Sequence, residues 1–376
     1  MWPHKQVIFQ EVEAHLNISI TRSQLFFLII KTQIGIGLLS LPSKIQSSAK
    51  GDAWISVLIA GGIIQLLLFI YSRLLRKFPD LTFSRITVEL FGSYIGKVIN
   101  IIYYVFFIFI AAYATTLYVQ LVHTWMLTYT PSWVLEFLII GTGVYLAHEN
   151  LRVIARFFVL TSVLFGCLIL LSFFNFTNEM HITNILPIGQ SGIEQMLRGS
   201  EKTFFSMLGF EVILYFYTQV QNNSKGLIRI VSLANCFVTL FYTYFVFICV
   251  IGFSPKVLGQ INEPVLYIFK GLTYQVFDRL DLIFLTIWFI PMTATIVSYL
   301  CMAGKSLSTN QDSYRRLVWF SGLLVFILGW CLSTLEKLDS FGKWLEYGYF
   351  IIITVIPLLL WLVSCLRKKS IKVGIS

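Results

Sequence analysis

Hydrophobic residues run along this chain in long stretches, and short polar segments separate them. A transmembrane helix needs about 20 predominantly apolar residues. The pattern therefore predicts an all-α integral membrane protein with about ten transmembrane helices. The predicted spans are 23–46, 53–72, 98–126, 132–147, 153–174, 192–219, 227–252, 280–304, 315–334 and 345–366.

Two of the polar connections are longer than the rest. Residues 73–97 are basic and are interrupted by Pro79 and Gly92, which predicts a cytoplasmic loop with an interfacial helix. Residues 254–279 contain a segment too short and too polar to span, and we expect it to lie over the outer mouth. Most basic residues fall on the side of the two ends of the chain, so 1–22 and 367–376 are interpreted as cytoplasmic tails.

Composition supports the membrane interpretation and excludes several other functions. The chain is 57% hydrophobic and 12% charged, where soluble domains carry about 25% charged residues. Its net charge of +10 lies in short connections, which indicates membrane orientation and no nucleic acid partner. The six cysteines form no C-x-x-C pair, so no disulfide framework or zinc site is expected. Nothing in the sequence indicates a catalytic site, a metal or a cofactor.

The first span of each half of the chain is interrupted by glycine. Gly35 and Gly37 lie in the first span, and Gly209 lies in the sixth. Residues 23–174 and 192–366 each hold five predicted spans, and five is odd, so the second half would be inserted upside down. Paired broken helices in inverted repeats indicate a transporter-type binding site at mid-membrane. The alternative is that these glycines only allow close helix packing.

An unwound turn in a membrane needs polar partners for its backbone groups. The N–H groups of a half-helix that starts near Gly37 would suit a carboxylate. Free carbonyls near Leu208 would suit an ammonium group. Pro42 frees the carbonyl of Leu38 and favours a bend. Together these groups match the two charged ends of an α-amino acid.

Two short motifs carry a resemblance to known families. "GIGLLSLP" and "FFSMLGFE" resemble the first- and sixth-helix motifs of the amino acid–polyamine–organocation transporters. More closely, "QIGIGLLSLPSKI", "GDAWISVLIAGG", "FFSMLGFEVILYFY" and the length of 376 residues resemble the B subunits of endospore germinant receptors. The resemblance extends over essentially the whole chain.

The resemblance implies a multi-pass subunit of the inner spore membrane that binds a small germinant, often an amino acid. It also implies an A-type subunit and a C-type lipoprotein as partners, besides membrane lipid. Phe205 would be an aromatic gate, and Glu211 takes the place of a glutamate linked to gating or protonation. The ligand-binding residues that follow from it are Gly35, Ile36, Gly37, Phe205, Leu208, Gly209 and Phe210.

The sequence departs from these families in ways that bear on transport. Ile36 stands where many transporters have a serine, the fifth span has no lysine, and no proline follows Glu211. Thr293, Thr295 and Ser298 form a possible cation site with hydroxyl groups alone. We therefore favour a germinant sensor. A proton- or cation-coupled amino acid permease is the alternative, and a scaffold subunit with a vestigial pocket is a third interpretation.

Other polar residues in the predicted spans invite simpler explanations. We expect Lys31 to extend its amine toward the cytoplasm. Arg198 and Glu201 are three residues apart, so they either pair on one helix face or form a solvated outer rim. The third span carries a polar stripe that consists of Tyr113, Thr116 and Gln120. We expect these side chains to form hydrogen bonds with neighbouring helices; a pocket wall and a water path are the alternatives.

Overall fold

A computed structural model of the chain describes residues 19–173, 180–221, 226–270, 279–332 and 334–366. The described part is helical, and its β contact is one parallel bridge between Ile20 and Val220. The helices are α1 (Arg22–Gln33), α2 (Gly37–Ala49), α3 (Ala53–Lys77), α4 (Phe83–Phe91), α5 (Ser93–Trp125), α6 (Ser132–Ala147), α7 (Leu151–Thr161), α8 (Val163–Phe173), α9 (Ile193–Ser206), α10 (Val212–Phe216), α11 (Leu227–Gly252), α12 (Pro255–Leu258), α13 (Pro264–Lys270), α14 (Leu280–Leu307), α15 (Gln311–Cys331), α16 (Leu335–Tyr349) and α17 (Ile356–Leu366).

The described helices confirm the predicted all-α membrane architecture. Seven helical stretches are long and apolar enough to cross a bilayer, and α6 is a shorter apolar helix. Helix α2 of the broken first span is counted within the stretch Gly37–Lys77, whereas α1, α9 and α10 are too short to count among the seven. The number of crossings and the division into two inverted repeats therefore stay predictions.

The first predicted span forms two helices. Thr21 and Gln24 close a capping box at the start of α1, with Gln24 N 3.2 Å from Thr21 Oγ1 and Thr21 N 2.8 Å from Gln24 Oε1. Such a box satisfies two of the N–H groups that a helix start leaves unpaired. The helix ends at Gln33 and resumes at Gly37, so residues 34–36 form the first break.

The sixth predicted span is also interrupted. Helix α9 ends at Ser206, and a run of turns over residues 207–211 precedes the short α10. Gly209 has φ +116°, a backbone conformation that L side chains rarely adopt. Residues 207–211 form the second break.

The two long connections contain short helices. In the first, α4 packs beside the start of α5, where Thr87 Oγ1 lies 2.8 Å from Asn100 Oδ1. In the second, α13 lies against the start of α14, with the rings of Phe269 and Phe284 stacked 4.4 Å apart. Residues 271–278, most of the N-terminal tail (1–18) and the whole C-terminal tail (367–376) lie outside the described residues.

The core is built around α14, which packs against α5, α1, α6 and α15. Its side chains Trp288 and Tyr299 are fully buried. The last predicted span contains a π-helical segment, Phe350–Val355, between α16 and α17. Such segments widen a helix and free its carbonyls. Here Tyr103 Oη donates to the carbonyl of Ile352 at 2.8 Å, and Tyr71 Oη donates to the carbonyl of Ile353.

Candidate functional site

The two breaks lie against each other, and each places a glycine on the end of the opposite half-helix. A Cβ atom on Gly37 would lie 2.9 Å from the carbonyl oxygen of Ser206, at the end of α9. A Cβ atom on Gly209 would lie 2.6 Å from the carbonyl oxygen of Thr32, near the end of α1. The contact is therefore reciprocal, and the glycines serve both the breaks and the close packing between them.

Side chains from other helices satisfy the carbonyls that the breaks leave free. Thr295 Oγ1 of α14 donates to the carbonyl of Lys31 at 3.2 Å. Tyr242 Oη of α11 lies 2.9 Å from the carbonyl of Gln33 and 3.0 Å from the carbonyl of Ser206. Both breaks are thus held by groups that lie far from them in the sequence.

Glu211 lies in the second break and bonds it to itself and to neighbouring helices. Its side chain is fully buried and accepts three hydrogen bonds. Gly209 N lies 2.8 Å from Oε2, Tyr299 Oη lies 2.9 Å from Oε1, and Tyr349 Oη lies 3.3 Å from Oε2. In all three hydrogen bonds the carboxyl oxygens are the acceptors. The carboxylate thereby joins the second break to α14 and α16.

A cavity of about 760 Å³ reaches the first break from the side of α13. The predicted site residues that line it are Gly35, Ile36, Gly37, Phe205, Leu208 and Thr295. The start of α2 lies at this wall, and the first N–H groups of a helix have no helical partner. The cavity therefore meets both breaks.

The outer part of the same cavity is charged. Lys44, Glu263, Lys270 and Asp339 are among its lining residues. Burial raises the pKa of the Glu263 carboxyl above its ordinary value. Charges of both signs at the entrance suit a ligand that itself carries both charges.

Five predicted site residues lie outside the lining of the cavity: Gly209, Phe210, Glu211, Thr293 and Ser298. Phe210 is fully buried, and its ring stacks on Tyr71 at 6.0 Å. The Thr293 hydroxyl donates to Phe289 of its own helix at 2.9 Å. Ser298 Oγ accepts from Thr32 Oγ1 at 2.8 Å. Of the three hydroxyls proposed for a cation, Thr295 alone lies at the cavity.

Lys31 does not extend toward the cytoplasm, contrary to the sequence-based expectation. Its side chain is fully buried, with Nζ 3.0 Å from the carbonyl oxygen of Thr161 and 4.1 Å from the centre of the Phe165 ring. The reason is the packing of α1 against α7, which turns Lys31 toward the junction between α7 and α8. The first span thus supplies an amine to the fifth span, which has no lysine of its own.

The structure corrects one further expectation and excludes one of the two alternatives for Arg198. Tyr113 and Gln120 line the cavity, so the polar stripe of the third span contributes to a pocket wall. Thr116 Oγ1 is buried without a hydrogen-bond partner among the described residues. Arg198 pairs with Glu194 at 2.8 Å, one turn before it, and not with Glu201. Both paired side chains are mostly exposed, which agrees with the alternative of a solvated rim.

Sequence reasoning missed Tyr242, Tyr299 and Tyr349. All three are fully buried tyrosines, and helical spacing does not tell which of many aromatic residues faces a break. The pair of breaks offered an indirect signal, because buried carbonyls require donors from neighbouring helices.

A second cavity, of about 260 Å³, lies at the C-terminal end of α10. Tyr215, Gln219 and Lys305 are among its lining residues. Lys305 Nζ lies 2.6 Å from Gln219 Oε1 and 5.1 Å from the centre of the Phe216 ring. Within the part of the chain that the structure describes, no group of three or more His, Cys, Asp or Glu side chains is placed to hold a metal ion.

Sequence comparisons identify relatives along nearly the whole chain. A family model described as "Spore germination protein" matches residues 19–335. Spore germination protein GerQB of Bacillus cereus is 25% identical over 350 residues, which cover 92% of this chain and 95% of the relative. Spore germination protein YndE of Bacillus subtilis (strain 168) is 26% identical over 365 residues, which cover 94% of this chain and 98% of the relative.

Two solved structures share the fold. A Na⁺-coupled sialic acid symporter in a substrate-bound outward-open state has a TM-score of 0.65 at 13% identity, covering 90% of this chain and 80% of the symporter. MhsT in complex with L-phenylalanine has a TM-score of 0.62 at 16% identity, covering 91% of this chain and 88% of MhsT. At such identities the likeness shows a transporter fold and no more.

Proposed function

The chain belongs to the spore germination protein family, and on that premise we propose that it binds a small germinant as the membrane subunit of a germinant receptor. It is a multi-pass protein of the spore inner membrane. The germinant that the site fits best is an α-amino acid. Binding at the paired breaks would trigger germination.

The observation that carries this proposal is the cavity that meets both breaks. Its volume of about 760 Å³ falls within the range of about 300–1,000 Å³ found for small-molecule sites. The α-carboxylate is assigned to the N–H groups of Ile36 and Gly37 at the start of α2. The ammonium group is assigned to the carbonyl of Leu208.

The walls of the cavity favour a small or apolar ligand side chain. Ile36, Phe205 and Tyr113 surround the space beside the first break. Because residue 36 is an isoleucine, its side chain gives the carboxylate no hydroxyl, and the contact at this position is assigned to backbone N–H groups. MhsT, which shares the fold, is described in complex with L-phenylalanine, a ligand of the class proposed here.

The partners are assigned from family resemblance. An A-type subunit and a C-type lipoprotein would complete the receptor, and membrane lipid would cover the exposed apolar faces of helices such as α6 and α15. The relatives are germination proteins and the fold is that of transporters, so no catalytic role is assigned.

The alternative is a proton- or cation-coupled amino acid permease, and one observation favours it. The cavity at the C-terminal end of α10 would give a transported ligand a route to the cytoplasm. Uptake distinguishes the two functions. A sensor should accumulate little labelled amino acid in vesicles that contain this chain alone, whereas a permease should concentrate it.

The proposal is tested with spores in which this chain and its A- and C-type subunits form the sole receptor. Each of the twenty amino acids is added singly, and germination is followed as the fall in optical density. At least one small or apolar amino acid should give a saturable response. A receptor complex that responds to none of them, but does respond to sugars or nucleosides, would contradict the assignment of the ligand class.

A further inference from the structure

One hydroxyl group joins the two broken helices. Tyr242 Oη lies 2.9 Å from the carbonyl oxygen of Gln33, the last residue of α1, and 3.0 Å from that of Ser206, the last residue of α9. Tyr242 is fully buried. The last carbonyls of a helix have no helical partner, and the single hydroxyl proton of the tyrosine is shared between two such groups from two different halves of the chain.

Two converging carbonyl oxygens at helix ends would otherwise attract a small cation. Each lies at the negative end of a helix dipole, and carbonyls at half-helix ends hold Na⁺ in several transporters of broken-helix type. A cation that bonded both oxygens would have to lie between them. Tyr242 Oη lies within hydrogen-bond distance of both and so takes that place.

The neighbouring carbonyls of α1 are engaged in the same way. Thr295 Oγ1 lies 3.2 Å from the carbonyl oxygen of Lys31 and 3.4 Å from that of Thr32. The nearby amine of Lys31 is directed to the carbonyl of Thr161 at 3.0 Å. Thr295 has one hydroxyl proton, and its Oγ1 also lies 3.2 Å from the carbonyl oxygen of Pro291 in its own helix. A neutral hydroxyl of the chain itself is therefore placed to donate to the carbonyls at the end of α1.

We propose that Tyr242 is a positioning residue whose hydroxyl links the two breaks in place of a bound cation, so that the packing of the breaks does not depend on sodium. In this respect the protein differs from the Na⁺-coupled symporter that shares its fold. The consequence for germinant binding, that it needs no sodium, rests on the proposed function. The structural claim, that the two breaks pack together without sodium, does not rest on the proposed function.

The experiment uses the full chain in lipid nanodiscs without any germinant. Hydrogen–deuterium exchange of segments 34–39 and 207–212 is measured in NaCl, in KCl and in choline chloride at equal ionic strength, and binding of ²²Na⁺ is measured in parallel. The wild type should show the same protection of both segments in all three salts and no saturable ²²Na⁺ binding.

Tyr242→Phe removes the hydroxyl and keeps the ring. Exchange should rise about tenfold or more in both segments together, because one donor holds both. Tyr244→Phe is the matched control: Tyr244 lies on the same helix, and its hydroxyl bonds Ser172 at 2.7 Å, away from the breaks. It should leave both segments unchanged.

Several outcomes would overturn the inference. Protection that rises severalfold with Na⁺ in the wild type, or saturable ²²Na⁺ binding, would show that a cation links the breaks. Equal exchange in Tyr242→Phe and Tyr244→Phe would show that the hydroxyl does not. If Tyr242→Phe fails to fold, the comparison of salts in the wild type still tests whether the packing of the breaks depends on sodium. Because no germinant is used, a failure here is separate from a failure of the proposed function.

Discussion

The two breaks in the membrane helices look alike in sequence but differ in what surrounds them. The first, residues 34–36, has no charged side chain of its own and borders the cavity. The second, residues 207–211, is longer and contains the buried Glu211, which accepts from Gly209, Tyr299 and Tyr349.

The difference gives the two breaks separate roles in the proposed function: the first would contact the ligand, and the second would transmit the effect of binding to the rest of the protein. Under the proposed function the first break would offer backbone groups to a ligand, whereas the second is fastened to α14 and α16 through one carboxylate. A ligand that pulled the first break would also move the second, because each glycine packs on the other's half-helix. A sensor needs both properties: a surface that is open to the ligand and a contact that reaches the rest of the protein.

The largest effect is expected at Gly209. Its φ of +116° disfavours any side chain, and a Cβ would lie 2.6 Å from the carbonyl oxygen of Thr32. Strain of this kind costs about 1–3 kcal/mol, and the clash adds to it. Gly209→Leu should insert normally, because insertion depends on hydrophobicity, yet germination in a dose–response assay should be abolished.

Gly62→Leu provides the control for Gly209→Leu. Gly62 also lies in an apolar helix, but a Cβ there would meet no atom within 4 Å, so the response should stay normal. Gly37→Ala should fall between the two, since Gly37 has the close contact without the positive φ. A normal dose–response for Gly209→Leu, at normal protein level in the membrane, would refute the role of the second break.

The next effect is expected for Glu211→Gln, which keeps the size of the side chain. A glutamine has one acceptor oxygen where the carboxylate has two, so at least one of the three donors loses its partner. If Glu211 is a switch, the response should be fixed in one state, silent or independent of germinant.

Asp provides a second variant at the same position. Glu211→Asp keeps the charge but is shorter, so it should restore part of the response if the charge matters. If Glu211→Gln responds to germinant as the wild type does, the carboxylate is a neutral structural group and the contrast between the two breaks is lost.

The sequence was informative about where the helices break and uninformative about what holds the breaks. Glycine has a strong local effect on the backbone, so Gly35, Gly37 and Gly209 located both breaks, whereas Pro42 lies inside α2. The partners of the breaks come from α11, α14 and α16, which are distant in sequence. Helical periodicity is weak in spans that are apolar on all sides, so neither Tyr242 nor Tyr349 could be assigned a direction.

Lys31 shows the same limit of sequence-based prediction, but here a direction was predicted for the side chain and was wrong. A lysine near a helix end usually extends toward water, and that general rule gave the wrong direction here. Which way it turns depends on α7, whose junction with α8 presents the carbonyl of Thr161. No local pattern in the sequence predicts the junction between α7 and α8.

A smaller effect is expected for Lys31→Met, which removes the amine and keeps the length of the side chain. The lost hydrogen bond is worth about 1.5–3 kcal/mol, but an amine no longer has to be buried, so thermal stability should change little. Freed from the α7–α8 junction, α1 should move more easily, and germinant-independent germination should rise up to about tenfold. A variant that is silent at normal protein level would contradict this.

The smallest effect is expected at the cavity wall. Phe205 packs edge-on against Tyr349 at 5.8 Å and lines the cavity. Phe205→Ala should raise the half-maximal germinant concentration about three- to tenfold, since aromatic contacts contribute about 0.5–1.5 kcal/mol beyond their area. The maximal response should persist. Phe137→Ala, at an exposed position of α6, is the control; an equal shift there would point to a general loss of stability.

The central claim, that the germinant binds where the two breaks meet, is tested most directly by cysteine protection. Ile36→Cys is introduced at the cavity wall and Tyr129→Cys at a fully exposed position between α5 and α6, each in a cysteine-free background. Alkylation by a water-soluble maleimide is timed with and without a saturating germinant amino acid. The germinant should slow modification at position 36 at least about tenfold, which corresponds to about 90% occupancy, and leave position 129 unchanged. An unchanged rate at position 36, in a variant that still germinates, would contradict the account.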